Sequence, residues 1–136
     1  MVGARMSRLS RFLLVGLCVL MGGSGMLHFV APAPYRGIVP GPLRAQAALI
    51  VALSGVCELV CAILLAVPRT RRLGALATAA LLVAVFPANV QMALDSGPAV
   101  DLMTSGRTAI AWLRLPLQIP LILWALSIHH ANRARH

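Results

Sequence analysis

The sequence predicts an all-α protein, an integral membrane four-helix bundle with its N and C termini cytoplasmic. Three observations carry that expectation. Of 136 residues, 60% are hydrophobic and only 11% are charged, for a mean hydropathy of +0.88. Soluble domains carry about 25% charged residues, so this chain has too little polar surface to cover itself in water. Its apolar residues gather in four runs, at 12–30, 45–67, 73–94 and 112–128, which leaves room for a single transmembrane domain over residues 1–136. The net charge of +9 comes from arginines alone, and most of them stand in the breaks between runs. That is the distribution of topology determinants rather than of a basic face on a soluble fold, so nucleic acid is excluded as a partner.

Residues 1–11 form a polar tail with Arg5, Arg8 and Arg11. A secretory signal peptide also pairs a basic tail with an apolar stretch. Here the apolar run continues past such a core, and no small-x-small site precedes a soluble domain, so 12–30 is read as the first span. Gly22 and Gly25 share a face and allow a neighbouring backbone to come close. His28 stands near the end of that span, either as an interfacial residue or as a hydrogen-bonding group on a cavity rim. Residues 31–44 carry four prolines and two glycines, which breaks any continuous helix and predicts a structured loop at the membrane surface, with Tyr35 in the aromatic belt.

The second span, 45–67, holds Glu58, the one acidic residue in any of the apolar runs. Its length reaches roughly 34 Å at the helical rise per residue, which puts Glu58 close to the bilayer centre. Ser54, Gly55, Cys61 and Ala62 are its helical neighbours, so the face bearing the carboxyl is made of small residues and looks into the bundle. Cys18, Cys57 and Cys61 all fall in apolar runs and read as small buried hydrophobes. Two cysteines one turn apart on one helix rarely reach disulfide geometry, and no histidine stands at a companion spacing for a metal.

Residues 68–72 make a basic turn. In the third span, 73–94, Pro87 removes the donor for the Val83 carbonyl and predicts a kink, with Asn89 close by. A polar loop is expected over 95–111, with Asp95, Asp101 and Arg107. The fourth span, 112–128, places Arg114 and Gln118 on one face and is bracketed by Trp112 and Trp124 in the manner of interfacial anchors. In the basic tail that follows, the adjacent His129 and His130 point to different sides of a helix, so no metal site is expected there.

The N-terminal tail, the 68–72 turn and the C-terminal tail hold three, three and two arginines, against four in the remaining loops and the fourth span. The positive-inside rule therefore sets both termini in the cytoplasm. In that orientation the intramembrane polar residues gather in the extracytoplasmic half. Glu58, His28, Ser54, Asn89, Arg114 and Gln118 are the candidates to line a ligand-binding pocket, with Arg114 several turns from Glu58.

These stretches resemble the DoxX-like family of small four-span bacterial membrane proteins. The resemblance rests on His28-Phe29 with Pro34-Tyr35 and Ile38-Val39-Pro40, on Ser54-Gly55-Val56-Cys57-Glu58, and on Pro68-Arg69-Thr70-Arg71. Phe86-Pro87-Ala88-Asn89 and Arg114-Leu115-Pro116-Leu117-Gln118 complete it. It implies a place in the bacterial plasma membrane and an accessory part in a membrane redox or oxidative-stress system, with a quinone as ligand and other redox subunits as partners. The chain carries no cofactor motif of its own, its cysteines form no redox pair, and no catalytic residue is assigned.

Three functions are therefore open at the level of sequence. The first is a subunit that binds a quinone or another lipophilic ligand around Glu58. The second is a small transporter or proton relay built on the same carboxyl, with a homo-oligomer supplying the repeats that transporters use. In the third, Glu58 is only a packing residue, hydrogen-bonded to Ser54 or a neighbouring span, in a structural membrane subunit.

Overall fold

A computed structural model describes residues 7–37, 39, 41–95 and 106–133, and within them all regular structure is helical. The expectations placed on Arg5, Asp101 and Arg135, and on the side chains of Arg107 and Arg133, lie outside the described residues. Helix α1 (Arg8–Val30) starts at Ser7, whose hydroxyl accepts from the Ser10 N–H at 3.0 Å and so satisfies one of the donors a helix start leaves free. After the short α2 (Pro32–Gly37) and a 3-10 helix (Gly41–Gln46) comes α3 (Ala47–Ala66). The third span is divided into α4 (Arg71–Ala84) and α5 (Phe86–Asp95), and α6 (Gly106–Arg133) is the longest helix.

Four segments are long and apolar enough to cross a bilayer: Arg8–Val30, Gly41–Ala66, Arg71–Asp95 and Ala111–Ala131. Their outward faces carry large apolar side chains such as Phe12, Val19, Leu49, Ile63 and Leu123. Such a surface suits lipid and not water, and it marks a multi-pass membrane protein. The fourth helix begins earlier than expected. Residues 106–111, assigned from sequence to a polar loop, are already helical, and Pro116 and Pro120 are accommodated inside the helix.

Helix α1 packs along α3, α4 packs on both α3 and α6, and α5 leans on α6. At the end that holds the 67–70 turn, Leu14, Leu17, Cys61, Leu65, Ala75 and Ala125 form a closed core. A β-carbon on Gly74 would stand 2.6 Å from the backbone nitrogen of Leu65, so the α3–α4 hairpin closes this tightly only with glycine there. Thr70 donates its hydroxyl to the Leu64 carbonyl at 3.0 Å, and Arg71 donates to the carbonyls of Leu65 and Ala66 at 3.0 and 3.2 Å. Arginine at the end of α3 is thus a helix cap as well as a charge in the turn. Trp124 packs on α1. Its ring lies 3.1 Å from where a Gly16 β-carbon would be, against α1, because the glycine leaves a slot that the indole fills.

The opposite end is looser. The helical ladder of the third span is interrupted at Val85, with Pro87 in the first turn of α5, where its missing N–H costs least. Gln118 on α6 donates its Nε2 to the Leu82 carbonyl and accepts at Oε1 from Asn89 Nδ2 at 2.8 Å. One glutamine side chain therefore holds both sides of the break. Because α5 is diverted onto α6, α3 loses its neighbour above the hairpin, and a wedge opens between α3 and α5. The proline-rich segment turns back over this wedge. Val39 is buried with Ala47 and Val51, and Arg44 reaches Asp95 at 4.0 Å.

Candidate functional site

The crossing of α1 and α3 sets the site. A β-carbon on Gly55 would meet His28 Cβ at 2.7 Å, and one on Gly25 would meet the Gly55 carbonyl at 3.0 Å. Two glycines at the crossing let the backbones touch, and this brings the next turn of each helix face to face. His28 and Glu58 are the residues brought together, with Nδ1 3.5 Å from Oε2. Both are buried, at 7% and 8% exposure.

His28 Nδ1 also lies 2.8 Å from the Ser24 carbonyl. A carbonyl only accepts, so Nδ1 carries a proton, and that proton goes to Ser24 rather than to the carboxyl 3.5 Å away. The ring is held on its other side by Tyr35, whose centroid is 3.9 Å away at a 30° tilt. Glu58 Oε2 has no hydrogen-bond partner although it is fully enclosed. The polar neighbours of the carboxyl come from α1, as Ser24 and His28, and not from Ser54 on its own helix.

Glu58 and His28 form one wall of a cavity of about 440 Å³ that fills the wedge. From α3 the lining includes Ile50, Leu53, Ser54 and Cys57, and from the broken third span Leu81, Val85, Pro87 and Asn89. Tyr35, Val39 and Leu43 roof it, so the proline-rich segment covers this space. Arg114 enters from α6. Most of the lining is apolar, and a few polar groups converge on it, which is the usual composition of a small-molecule site.

Five of the six sequence candidates, Glu58, His28, Ser54, Asn89 and Arg114, line this one cavity. Gln118 does not. It is buried at 3% exposure and spends both ends of its amide on Asn89 and Leu82, so it braces the wall from behind. Arg114 was placed several turns from Glu58, yet it shares the cavity and lies within coulombic reach of the carboxyl. Its side chain is exposed at the cavity edge, where it reaches the Met92 sulfur at 3.9 Å.

A family model described as a domain of unknown function, DUF8561, matches residues 17–129. The chain belongs to that family. The match takes in every cavity residue and both glycines of the crossing. No curated protein and no solved structure is significantly similar to the chain.

Sequence reasoning missed three members of the site. Tyr35 was read as an interfacial aromatic but is half-buried against His28, and its position between two prolines gave no sign of the stacking. Ser24 stands in a glycine run, Gly22 to Gly25, and nothing in its spacing marks it as a partner of the carboxyl. Cys57 was read as a buried hydrophobe, yet it is exposed to the cavity, while Cys61 one turn on is buried in the core. A step of one turn on a helix rotates a side chain by about 40°, and here that carries it from the cavity into the packed core.

Proposed function

We propose that this protein binds a lipophilic small molecule with a hydrogen-bonding head in the cavity between α3 and α5. A quinone is one such molecule. The observation that carries this reading is the enclosed, unpartnered Oε2 of Glu58 in the wall of a largely apolar cavity of about 440 Å³. An enclosed polar atom without a partner is costly, and a ligand donor placed there would remove the cost. His28 stands beside it with its Nδ1–H given to the Ser24 carbonyl, so the carboxyl is the group left to meet the ligand. Room for the apolar part lies along Leu53, Leu81 and Val85.

Around this site we place the protein in the bacterial plasma membrane with both termini cytoplasmic, on the arginine distribution. The motif order supports DoxX-like kinship and an accessory part beside redox or oxidative-stress subunits. In the proposed role Glu58 and His28 accept, donate and orient, and the protein supplies a binding site rather than a complete catalytic apparatus.

The test is equilibrium binding of decyl-ubiquinone to the purified full chain in detergent or nanodiscs. Saturable binding that Ala88→Phe abolishes by filling the cavity, and that Glu58→Ala weakens by about tenfold, is the expected result. Unsaturable partitioning, unchanged by Ala88→Phe, for this and every other lipid-like probe would refute the proposal.

A further inference from the structure

We infer that the ligand of this cavity is an anionic amphiphile, a single-chain lipid with a carboxylate or phosphate head, and that Arg114 is the residue that reads its charge. The inference rests on the ligand-binding reading above and puts an acid head in the place of the quinone.

Arg114 lies in α6 three residues past Ala111, within a turn of the end of the span, and lines the cavity with its side chain exposed. Its side-chain contact is the sulfur of Met92 at 3.9 Å, a weak acceptor. One carboxyl of the described residues, Glu58, shares the cavity and feels the Arg114 charge, with no ion pair closed between them. Glu58 faces His28 at 3.5 Å, while Asp95 accepts from Gln91 at 2.8 Å and lies 4.0 Å from Arg44. Neither is within ion-pair distance of Arg114.

A guanidinium keeps its charge under all ordinary conditions, and at membrane depth such a charge sits opposite another charge or on a ligand path. The planar fork of donors matches the two oxygens of a carboxylate or phosphate. The rest of the cavity suits the other half of such a molecule. Leu43, Leu53, Leu81 and Val85 give an apolar track, and the hydroxyls of Tyr35 and Ser54 are neutral donors that tolerate an anionic head. The volume, about 440 Å³, falls in the usual range of small-molecule sites, about 300–1,000 Å³. Arg36 and Arg44 in the roofing segment add positive charge near the same end of the bundle.

The experiment compares anthroyloxy-labelled palmitic acid with its methyl ester on the purified full chain, in wild type, Arg114→Gln, Arg114→Lys and Glu58→Gln. Wild type is expected to bind the acid at least about tenfold more tightly than the ester. Arg114→Gln should lose that preference through weaker binding of the acid, with thermal unfolding in detergent as in wild type showing that the variant is folded. Arg114→Lys should keep part of the preference, and Glu58→Gln should keep or raise it by removing the other acid on the cavity wall. Competition by dodecyl phosphate or unlabelled palmitate, or both, supports the class and tells which head is preferred. Equal affinity for acid and ester in wild type, or a preference that survives in Arg114→Gln, overturns the inference and leaves the broader binding proposal standing. Failure of every probe, decyl-ubiquinone included, overturns both.

Discussion

At the arginine-rich end of the bundle, Gly74 brings α4 onto the backbone of α3, Thr70 and Arg71 close the last carbonyls of α3, and Trp124 fills the slot over Gly16. At the opposite end α1 and α3 cross at Gly25 and Gly55, the third span breaks at Val85, and a cavity of about 440 Å³ remains beneath a roof of short helical pieces. Both ends use glycine to bring backbones together. They differ in what stands one turn away. Below Gly74 the neighbours are leucine and alanine, which close-pack. Beyond Gly55 they are His28 and Glu58, which need partners more than they need neighbours. The difference teaches that close approach of helices can seal a core or present a site, depending on the residues it carries in.

Substitutions at the glycines break this comparison most sharply. Gly74→Ala forces a β-carbon against backbone that cannot move aside, and it should lower stability by about 3 kcal/mol, the upper part of the overpacking range. Thermal unfolding in detergent would register this. Gly55→Ala should cost about 2 kcal/mol and, unlike Gly74→Ala, also weaken ligand binding, because the clash is with His28 Cβ. A Gly55→Ala protein that binds ligand normally would detach the helix crossing from the site.

Gln118→Leu comes next. It leaves the Leu82 carbonyl and the Asn89 amide without their partner and should cost about 1–3 kcal/mol, with a matching change in ligand affinity if the wall of the cavity moves. Arg71→Gln should cost about 1 kcal/mol through the lost cap at the end of α3 and leave ligand affinity as it was. The smallest effects contrast Gly16 with Gly23. Gly16→Ala meets only the edge of the Trp124 ring at 3.1 Å and should cost less than about 1 kcal/mol. Gly23→Ala meets nothing within 4 Å and should be neutral or stabilise by about 0.5–1 kcal/mol, as alanine does in a helix.

The helical membrane architecture was legible because it depends on composition and on runs of apolar residues, which the sequence displays directly. The inward face of Glu58 was legible too, from the small residues at its helical spacings. Two features of the site were not. The stacking of Tyr35 on His28 depends on how a proline-rich segment folds back, which is a tertiary contact with no periodic signature. The separation of Gln118 from the cavity depends on which carbonyl the third span leaves free. Pro87 pointed to Val83, whereas the side-chain donor goes to Leu82, because the ladder is interrupted at Val85 and reorganises around it. Position along a span could be counted from sequence, but that Arg114 and Glu58 share one cavity could not.

The central claim is that the cavity between α3 and α5 receives a ligand, and Cys57 offers the most direct way to test it. With Cys18→Ser and Cys61→Ala in place, Cys57 is the remaining thiol, and it is exposed on the cavity wall beside Glu58. The rate of its alkylation by N-ethylmaleimide would be measured on the full chain with and without saturating palmitic acid or decyl-ubiquinone. The account predicts that labelling proceeds without ligand and slows at least about tenfold with one of them, in proportion to occupancy. A rate unchanged by either would contradict it.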